Sequence, residues 1–414
     1  MRIIDYQCIP SRLVSLALLW LLCRLLDQGR TDIIKGTTNR VREAAELDEF
    51  ERIRHWTASR QQAEWQRERG VVVGIGDDAA VVDKGALPPV ADSGLHWVFT
   101  VDTMVETVHF NGATMRDYDV GYKALAANVS DIAAMGAVPA HALVSVSVPP
   151  SYGPDRMRGL YDGLYACADR HRIAVIGGDT TSAPAQLVVS VTLTGTIEAG
   201  KALTRSGAMP GDAVFVTGPT GMSAAGLQWL TAAAAAVDGP VPEALAEAEG
   251  TAALVRAHRR PEPSVQAGRL LAGCGACTSL NDVSDGAASE AWEIAEASRR
   301  SIVLREQWLP RSGSLAAYAG RLGASAGGDA ARRLALDWML YGGEDYVLLG
   351  TVAGSAVEPL RTAFREAGIP LYIIGQVEDG EPGVWLEKAD GNGRMALEKR
   401  GYNHFRPEVG IKNG

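Results

Sequence analysis

Seven aspartates stand beside apolar segments or on predicted helices, in positions where an acidic side chain needs a partner. A single aspartate after a strand is most often a turn former or a helix cap, but that explanation weakens when the pattern recurs beside small and hydroxyl residues. Buried carboxylates without partners are costly, and Lys123 and Arg205 are the only basic residues in the same motifs. Divalent cations are the more economical partners, since Mg²⁺ prefers a few carboxylates with waters and substrate phosphates. The seven are Asp77, Asp78, Asp102, Asp131, Asp179, Asp282 and Asp285.

The glycines of the segment GIGDDA (74–79) allow a competing interpretation. They follow an apolar strand with the loose spacing of a dinucleotide-binding loop. Asp77 and Asp78, however, would place negative charge beside a pyrophosphate at a helix N-terminus. The following residues are too few and too rich in proline for a crossover helix. The sequence also lacks the P-loop signature and the protein-kinase motifs, which disfavours the familiar nucleotide-binding folds.

Composition limits the class of protein. The chain has 414 residues, with 40 Lys and Arg against 49 Asp and Glu, for a formal charge of −9. This length predicts two domains, and the acidic balance argues against a nucleic-acid partner. Cys274 and Cys277 form a lone C-x-x-C without the second ligand pair of a structural zinc site. We expect ordinary reduced thiols in a cytoplasmic protein.

The N-terminus carries an apolar run, LVSLALLWLL, at residues 13–22. It is too short to span a bilayer, and no small-residue cleavage site follows it. We interpret residues 1–45 as a non-functional extension, and expect no membrane partner. A membrane anchor and packing against the body of the protein are the alternatives.

Hydrophobic periodicity predicts the main elements. Helices are predicted at 47–66, 117–136 and 154–171, the second ending at Gly136. Strands are predicted at 71–73, 96–105, 173–176 and 186–197, with Gly177 to Thr181 as a loop. A strand after Pro210 and an alanine-rich helix from Ser223 begin the second half, with a helical surface insertion at 231–252. Helices interspersed with antiparallel strands predict two α+β domains, divided near 205–212.

A series of motifs resembles the thiamine-monophosphate kinase family, in the same order, from about residue 45 to 405. Each motif alone is weak, but eight in series are specific. The motifs are GIGDDAAVV (74–82), VDTMVETVHF (101–110), GYKALAANVSDIAAMGAVP (121–139), IGGDTT (176–181), LTRSGAMPGD (203–212), DVSDG (282–286), GGEDY (342–346) and GYNHF (401–405).

The resemblance implies a fold and an activity. The fold would be α+β, with an N-terminal, dimer-forming domain of mixed and antiparallel sheet (46–205) that binds ATP and Mg²⁺. A C-terminal, sandwich-like domain (206–414) would complete the active site. The activity would be the ATP-dependent phosphorylation of thiamine monophosphate to thiamine diphosphate, in a homodimer that uses several Mg²⁺ ions.

The resemblance also implies roles for individual residues. Asp131, Asp179 and Asp285 would be catalytic, and Val101 could contact metal only through its backbone carbonyl. Independently of the family, we expect Tyr161 to stack on adenine. The implied metal contacts are Asp78, Thr100, Val101, Asp102, Asp131, Asp179, Asp282 and Asp285; the ATP contacts are Gly178, Asp179, Arg205 and Ser284; the thiamine monophosphate contacts are His109, Glu344 and Tyr402.

The chemistry fits this set, because an ionised phosphate oxygen needs no strong base and the protein must chiefly position and neutralise two anions. Structural alternatives stay open for His109 as a core histidine, Tyr402 as a packing residue and Glu344 as a helix N-terminal residue. Asn281 and Val347 depart from the family pattern, which usually has an apolar residue and an acid there. A related ATP-dependent synthetase and a non-catalytic nucleotide-binding protein are the alternative functions.

Overall fold

Two β-sheets form the framework of the structure, a computed structural model that describes residues 63–68, 71–73, 77, 80–83, 94–248, 250–324, 328–391 and 393–400. These residues all belong to one compact unit, residues 61–402. The predicted N-terminal extension, most of the helix predicted at 47–66, and the site residues Asp78 and Tyr402 lie outside the described residues. The described helices include none that is both long and apolar enough to cross a membrane.

The first sheet has six strands in the order β1-β2-β3-β6-β4-β5, and two long helices cover one of its faces. All its neighbours are antiparallel except β4 and β5, which are parallel. A short helix α1 precedes it. The elements are α1 (Ala63–Glu68), β1 (Val71–Val73), β2 (Ala80–Asp83), β3 (Leu95–Val105), α2 (Asp117–Ala134), β4 (Val138–Val148), α3 (Pro154–His171), β5 (Ala174–Ser182) and β6 (Val188–Glu198).

The second sheet has seven strands in the order β13-β12-β9-β11-β7-β10-β8, with β12 and β9 parallel. Helices contribute to hydrophobic clusters with its strands. The elements are β7 (Ala213–Val216), α4 (Met222–Val237), α5 (Glu243–Ala246), α6 (Ala252–Arg259), α7 (Val265–Cys274), β8 (Cys277–Asp282), α8 (Ala287–Ser298), β9 (Ser301–Arg305), α9 (Gly313–Gly323), α10 (Gly328–Tyr341), β10 (Leu348–Val352), α11 (Val357–Glu366), β11 (Tyr372–Glu378), β12 (Gly383–Glu387) and β13 (Arg394–Ala396).

The predicted α+β class is confirmed, and most predicted elements agree closely with the observed ones. One prediction was wrong: Gly177 to Thr181 is not a loop but part of strand β5, paired in parallel with β4. The strand is at the edge of the sheet and nearly all of its residues are exposed. Backbone pairing with one neighbour therefore fixes its conformation, and polar residues can occupy it without being buried.

Helix α2 belongs to both hydrophobic cores. Leu125 and Val129 pack in the core of the first sheet. Ala133 and Ala134, at the end of the same helix, pack in a cluster with Phe215 of the second sheet. Because every one of these side chains is fully buried, a displacement of α2 would disturb the packing of both sheets.

Helices α2 and α3 approach each other at two glycines. A Cβ atom at Gly121 would lie 1.8 Å from the carbonyl oxygen of Leu160, and one at Gly163 would lie 1.8 Å from that of Tyr118. Real side chains never approach a backbone so closely, so both positions require glycine for the observed packing. The close contact fixes α2 against α3.

We predict that Gly163→Ala lowers the free energy of unfolding by about 2 kcal/mol or more, because the added methyl group forces the helices apart. Urea denaturation of the purified variant checks this. Gly159→Ala is the matched control on the same helix, since a Cβ there would meet only Asp117 at an ordinary 3.7 Å. The control should leave stability unchanged or raise it by up to about 1 kcal/mol. Equal effects of the two substitutions would contradict the packing argument.

Candidate active site

Four acidic side chains, from strand β3, helix α2, strand β8 and the GGEDY segment, act electrostatically on one buried tyrosine, Tyr346. Burial raises the pKa of Tyr346 well above its usual range, and the negative charges of Glu344, Asp102, Asp282 and Asp131 raise the pKa further. Tyr346 is 7% exposed. The predicted carboxylates of strand β3, helix α2 and strand β8 are thus brought together, with Glu344 beside them.

The alternation of strand β3 aims its polar residues at helix α2. Thr100 is buried and its hydroxyl donates a hydrogen bond to Asp131 Oδ2. The backbone N–H of Asp102 donates to Asn128 Oδ1 at 3.1 Å. Val101, between them, is 60% exposed, as expected for the opposite face of a strand. Its side chain therefore lies away from the carboxylates that Thr100 and Asp102 approach.

A buried hydrogen bond joins helix α2 to strand β8 of the second sheet. Ser130 Oγ, on α2, donates to Asp282 Oδ2, at the end of β8, at 2.5 Å. Neither side chain is more than 2% exposed. This bond ties the helix that carries Asp131 to Asp282 of the second sheet.

The segments DVSDG (282–286) and GGEDY (342–346) are held against each other by their backbones. The N–H of Glu344 donates to the carbonyl of Ser284 at 2.7 Å, and that of Tyr346 to the carbonyl of Val283 at 3.0 Å. Glu344 and Tyr346 both have left-handed φ angles, of 62° and 51°, which cost about 1–3 kcal/mol each for such residues. The paired loops thus hold a strained conformation at the candidate site.

Asp345 anchors the same segment from beneath. Its carboxylate accepts hydrogen bonds from the backbone N–H groups of Gly221 and Ser223, at the start of helix α4. Burial raises the pKa of Asp345 to about 7, against the opposing effect of these N–H donors. The Asp345 side chain therefore connects the loop to the N-terminus of helix α4, whereas its neighbour Glu344 faces the site.

Lys123 is a fully buried cation paired with Glu344. Its Nζ lies 2.6 Å from Glu344 Oε2, and the side chain has no exposed surface. Burial lowers the pKa of Lys123, and the charge of Glu344 opposes that shift. His258 Nδ1 lies 3.5 Å from the same carboxylate oxygen and 3.1 Å from Ser223 Oγ. Burial and the charge of Lys123 lower the pKa of His258, so its ring is neutral near pH 7.

Arg205 enters the site from the segment before strand β7. Its backbone N–H donates to Asp77 Oδ2 at 3.3 Å, so the predicted GIGDD and LTRSG motifs do meet. Its Nε donates to Asn281 Oδ1 at 3.2 Å, and its Nη1 lies 3.1 Å from Glu293 Oε2. The Arg205 side chain is 13% exposed. The sequence analysis identified Arg205 but not the groups that hold it.

Two glutamates on helix α8 complete this buried network. Asn281 donates to Glu290 and, at 3.1 Å, to Glu293. Burial and the neighbouring carboxylate of Glu293 raise the pKa of Glu290 well above its usual range. Glu290 also accepts the backbone N–H of Asp285 at 2.8 Å. The sequence did contain a signal for these two residues: Glu290 and Glu293 are three residues apart, on the buried face of an amphipathic helix.

Gly178, Asp179 and Tyr161 form a second group, at edge strand β5. A Cβ atom at Gly178 would lie 1.8 Å from the carbonyl oxygen of Val144, which explains the glycine. Asp179 is exposed. The hydroxyl of the half-buried Tyr161 hydrogen-bonds the side chain of Thr180. The predicted ATP contacts of this motif are therefore adjacent to one another.

His109 lies just beyond strand β3. Its Nδ1 accepts the backbone N–H of Val105 at 3.0 Å, so a neutral ring carries its proton on Nε2. The side chain is half-buried rather than part of the core.

No three His, Cys, Asp or Glu side chains within the described ranges form a ready-made metal site. The donor set is nevertheless that of Mg²⁺, which commonly uses one or two carboxylates and completes its octahedron with waters and substrate phosphates. Asp102, Asp131 and Asp282 supply such oxygens from three elements. These residues fit a Mg²⁺ ion bound together with a phosphate substrate.

The substitution Glu344→Gln should destabilise the protein, because it leaves the buried charge of Lys123 without its partner. We expect the free energy of unfolding to fall by about 3 kcal/mol at pH 7. This is the lower end of the effect of removing one partner of a buried ion pair, and we choose it because Glu344 is 30% exposed. Burial lowers the pKa of Lys123 in the folded protein, so the unfolded chain holds this proton to higher pH. The stability of the variant should therefore rise as the pH increases towards about 10.

Urea denaturation at pH 7 and at pH 9.5 measures this effect. The double variant Glu344→Gln with Lys123→Met has no ammonium group to bury, and it should lose the recovery at high pH. A Glu344→Gln protein as stable as the parent at pH 7 would contradict the interpretation of Lys123 as a buried cation.

Family models match both halves of the chain. The model described as AIR synthase related protein, N-terminal domain, matches residues 76–197. The model of the corresponding C-terminal domain matches residues 209–386. The two matches coincide with the first and the second sheet.

The relatives of this chain include thiamine-monophosphate kinases. That of Bacillus subtilis (strain 168) is 40% identical over 341 residues, which cover 81% of this chain and 94% of the relative. A crystal structure of thiamine-monophosphate kinase from Stenotrophomonas maltophilia K279a is 33% identical, covers 83% of this chain and 96% of its own, and has a TM-score of 0.62. A structure of AaThiL complexed with AMPPCP and TMP is 28% identical, covers 87% and 97%, and has a TM-score of 0.67. Through these matches the chain belongs to the thiamine-monophosphate kinase family.

Proposed function

We propose that this protein transfers the γ-phosphoryl group of ATP to thiamine monophosphate, giving thiamine diphosphate and ADP. The observation that carries the proposal is the meeting of Asp102, Asp131 and Asp282 beside Glu344 in a member of this family. A related structure at similar length holds AMPPCP and TMP. Acids brought together from strands β3 and β8 and helix α2 suit a reaction between two phosphates that bind with Mg²⁺.

The reaction needs positioning more than proton transfer. A phosphate oxygen of thiamine monophosphate forms the new bond to the γ-phosphorus, while the bond from that phosphorus to the β,γ-bridging oxygen breaks and ADP leaves. The attacking oxygen is already ionised near neutral pH, so no strong base is required. The barrier is repulsion between two anions, which alignment and fixed positive charge lower.

Asp102, Asp131, Asp282 and Asp285, with Thr100 and the backbone carbonyl of Val101, are the residues we propose for holding Mg²⁺ when the nucleotide is bound. Asp78 and Asp179 complete the proposed set. Bound Mg²⁺ would supply positive charge to the phosphates. The protein's own contribution is to hold the carboxylates in place, through Thr100 on Asp131 and through Ser130 on Asp282.

ATP and thiamine monophosphate would be held by different parts of the molecule. We assign ATP to Gly178, Asp179, Tyr161, Arg205 and Ser284, with Arg205 as the fixed cation for the phosphates. We assign thiamine monophosphate to His109, Glu344 and Tyr402, the three residues that the family resemblance implies. Glu344 brings a carboxylate held by Lys123.

A homodimer is the assembly that suits the outer face of the first sheet. Helices α2 and α3 pack on one face. On the other face Phe99 and Val101 of β3, Leu143 of β4 and Ile176 of β5 are between 37% and 60% exposed. An apolar sheet face of this kind is typical of an interface, and a second copy of the chain is the partner we propose.

Asp131→Asn should lower thiamine diphosphate formation about 100-fold or more, because it removes a negative charge with little change in shape. An end-point assay with thiamine monophosphate, ATP and Mg²⁺, read as thiochrome fluorescence after separation, measures the product. Asp169→Asn, at an exposed position of helix α3, is the matched control and should keep full activity.

The same assay tests the metal by titration of Mg²⁺, with which the parent's activity should rise until saturation. Unchanged activity of Asp131→Asn would contradict the assignment of this residue. A folded parent that binds ATP and makes no thiamine diphosphate would contradict the kinase function and favour a related ATP-dependent synthetase.

Leu143→Arg should convert the protein to a monomer, because it places a charge on the apolar sheet face. Sedimentation velocity at micromolar concentration measures the state of assembly. Leu322→Arg is the control, at a similarly exposed leucine on helix α9, and should leave the assembly unchanged. A parent protein that sediments as a monomer would contradict the dimer.

A further inference from the structure

We propose that Asn281 is a positioning residue for ATP, which sets the guanidinium group of Arg205 and the Ser284–Asp285 segment in one fixed relation. The inference rests on the proposed function, since Arg205 and Ser284 are assigned there to ATP. It adds the group that aligns them. Asn281 itself is fully buried in strand β8, so it acts only through these neighbours.

Every polar atom of the Asn281 side chain is used. Its Oδ1 accepts the Nε–H of Arg205 at 3.2 Å. Its Nδ2 donates to Glu293 Oε2 at 3.1 Å and to Glu290 Oε2. A carboxamide has an acceptor at one end and two donors at the other, so it can link a cation to two acids where an aliphatic residue could link neither.

Glu290 carries the connection onward to the loop. Its second oxygen, Oε1, accepts the backbone N–H of Asp285 at 2.8 Å and the hydroxyl of Ser284 at 3.4 Å. A continuous chain of hydrogen bonds therefore runs from Arg205 through Asn281 and Glu290 to the backbone of Asp285. Such a chain restricts both ends at once, because the two groups that link them, Asn281 and Glu290, are buried.

Glu293 holds the other side of the same guanidinium. Its Oε2 lies 3.1 Å from Arg205 Nη1 and accepts from Asn281 as well. Asn281 thus holds the planar guanidinium at Nε and Glu293 holds it at Nη1, which fixes the plane of the group as well as its position. Removing Asn281 would take away the bond at Nε, which helps to fix that plane.

A purely structural role makes a different prediction from a positioning role. Loss of stability alone would lower the amount of active enzyme and leave both Michaelis constants unchanged. Misplacement of Arg205 and Ser284 should instead weaken the use of ATP selectively. The test therefore compares the KM values for the two substrates.

Asn281→Leu should raise the KM for ATP about tenfold or more, the effect of losing one hydrogen bond to a charged group, and change the KM for thiamine monophosphate less than twofold. Ser279→Ala is the matched control. Ser279 is buried on the same strand and bonds Thr351 at 2.7 Å instead of Arg205. The control should leave both KM values unchanged.

Glu290→Gln is the second variant, and it decides the matter if Asn281→Leu does not fold. Glu290 accepts from Asn281 at one oxygen and from Asp285 at the other, whereas glutamine has only one oxygen. The substitution must break one of the two links and should produce the same selective rise in the KM for ATP. Unchanged KM values for ATP in the folded variants, or equal rises for both substrates, would overturn the proposal.

Calorimetric titration with ATP and Mg²⁺ separates this inference from the proposed function. If the parent makes no thiamine diphosphate, the kinase function fails, and the inference then stands only if Asn281→Leu or Glu290→Gln binds ATP about tenfold more weakly than Ser279→Ala. Equal affinities for ATP, or no affinity in the parent, would overturn it.

Discussion

Negative charge concentrated around one buried residue is the constraint on which the rest of the site depends. Asp102, Asp131, Asp282 and Glu344 all raise the pKa of Tyr346, and neighbouring like charges repel each other. A separate donor holds most of these acids: Thr100 for Asp131, Ser130 for Asp282 and Lys123 for Glu344. The fold thus keeps together carboxylates that would otherwise separate, as the proposed binding of a cation and two phosphates requires.

Helix α2 provides many of the polar side chains of this site. It provides Lys123, Asn128, Ser130 and Asp131 within nine residues, and its apolar side chains pack in the cores of both sheets. The glycine at 121 lets the helix approach α3 more closely than any side chain would allow. The same packing that stabilises the fold therefore sets the geometry of the site, and neither can change alone.

The elements with local periodicity were predicted well from the sequence. Helix α2, helix α3 and strand β3 begin and end close to the predicted residues, because amphipathic spacing and the glycine after α2 specify them. The strand character of Gly177 to Thr181 was missed, since pairing with β4 decides it. The contacts of Asn281 with Glu290 and of Lys123 with Glu344 could not be predicted from the sequence either. Each contact depends on how separate elements pack, whereas the sequence gives only the residue types.

The two buried networks meet at one pair of loops. Lys123 and His258 hold Glu344 on one side, and Arg205 and Asn281 connect to Asp285 on the other. Between them, the N–H of Glu344 donates to the carbonyl of Ser284 at 2.7 Å. In the proposed reaction the Glu344 side binds thiamine monophosphate, the acceptor, and the Arg205 side binds ATP, the donor. The two phosphates must lie in line for transfer. This backbone bond joins the two sides directly, and Glu344 makes it in a left-handed conformation that costs free energy.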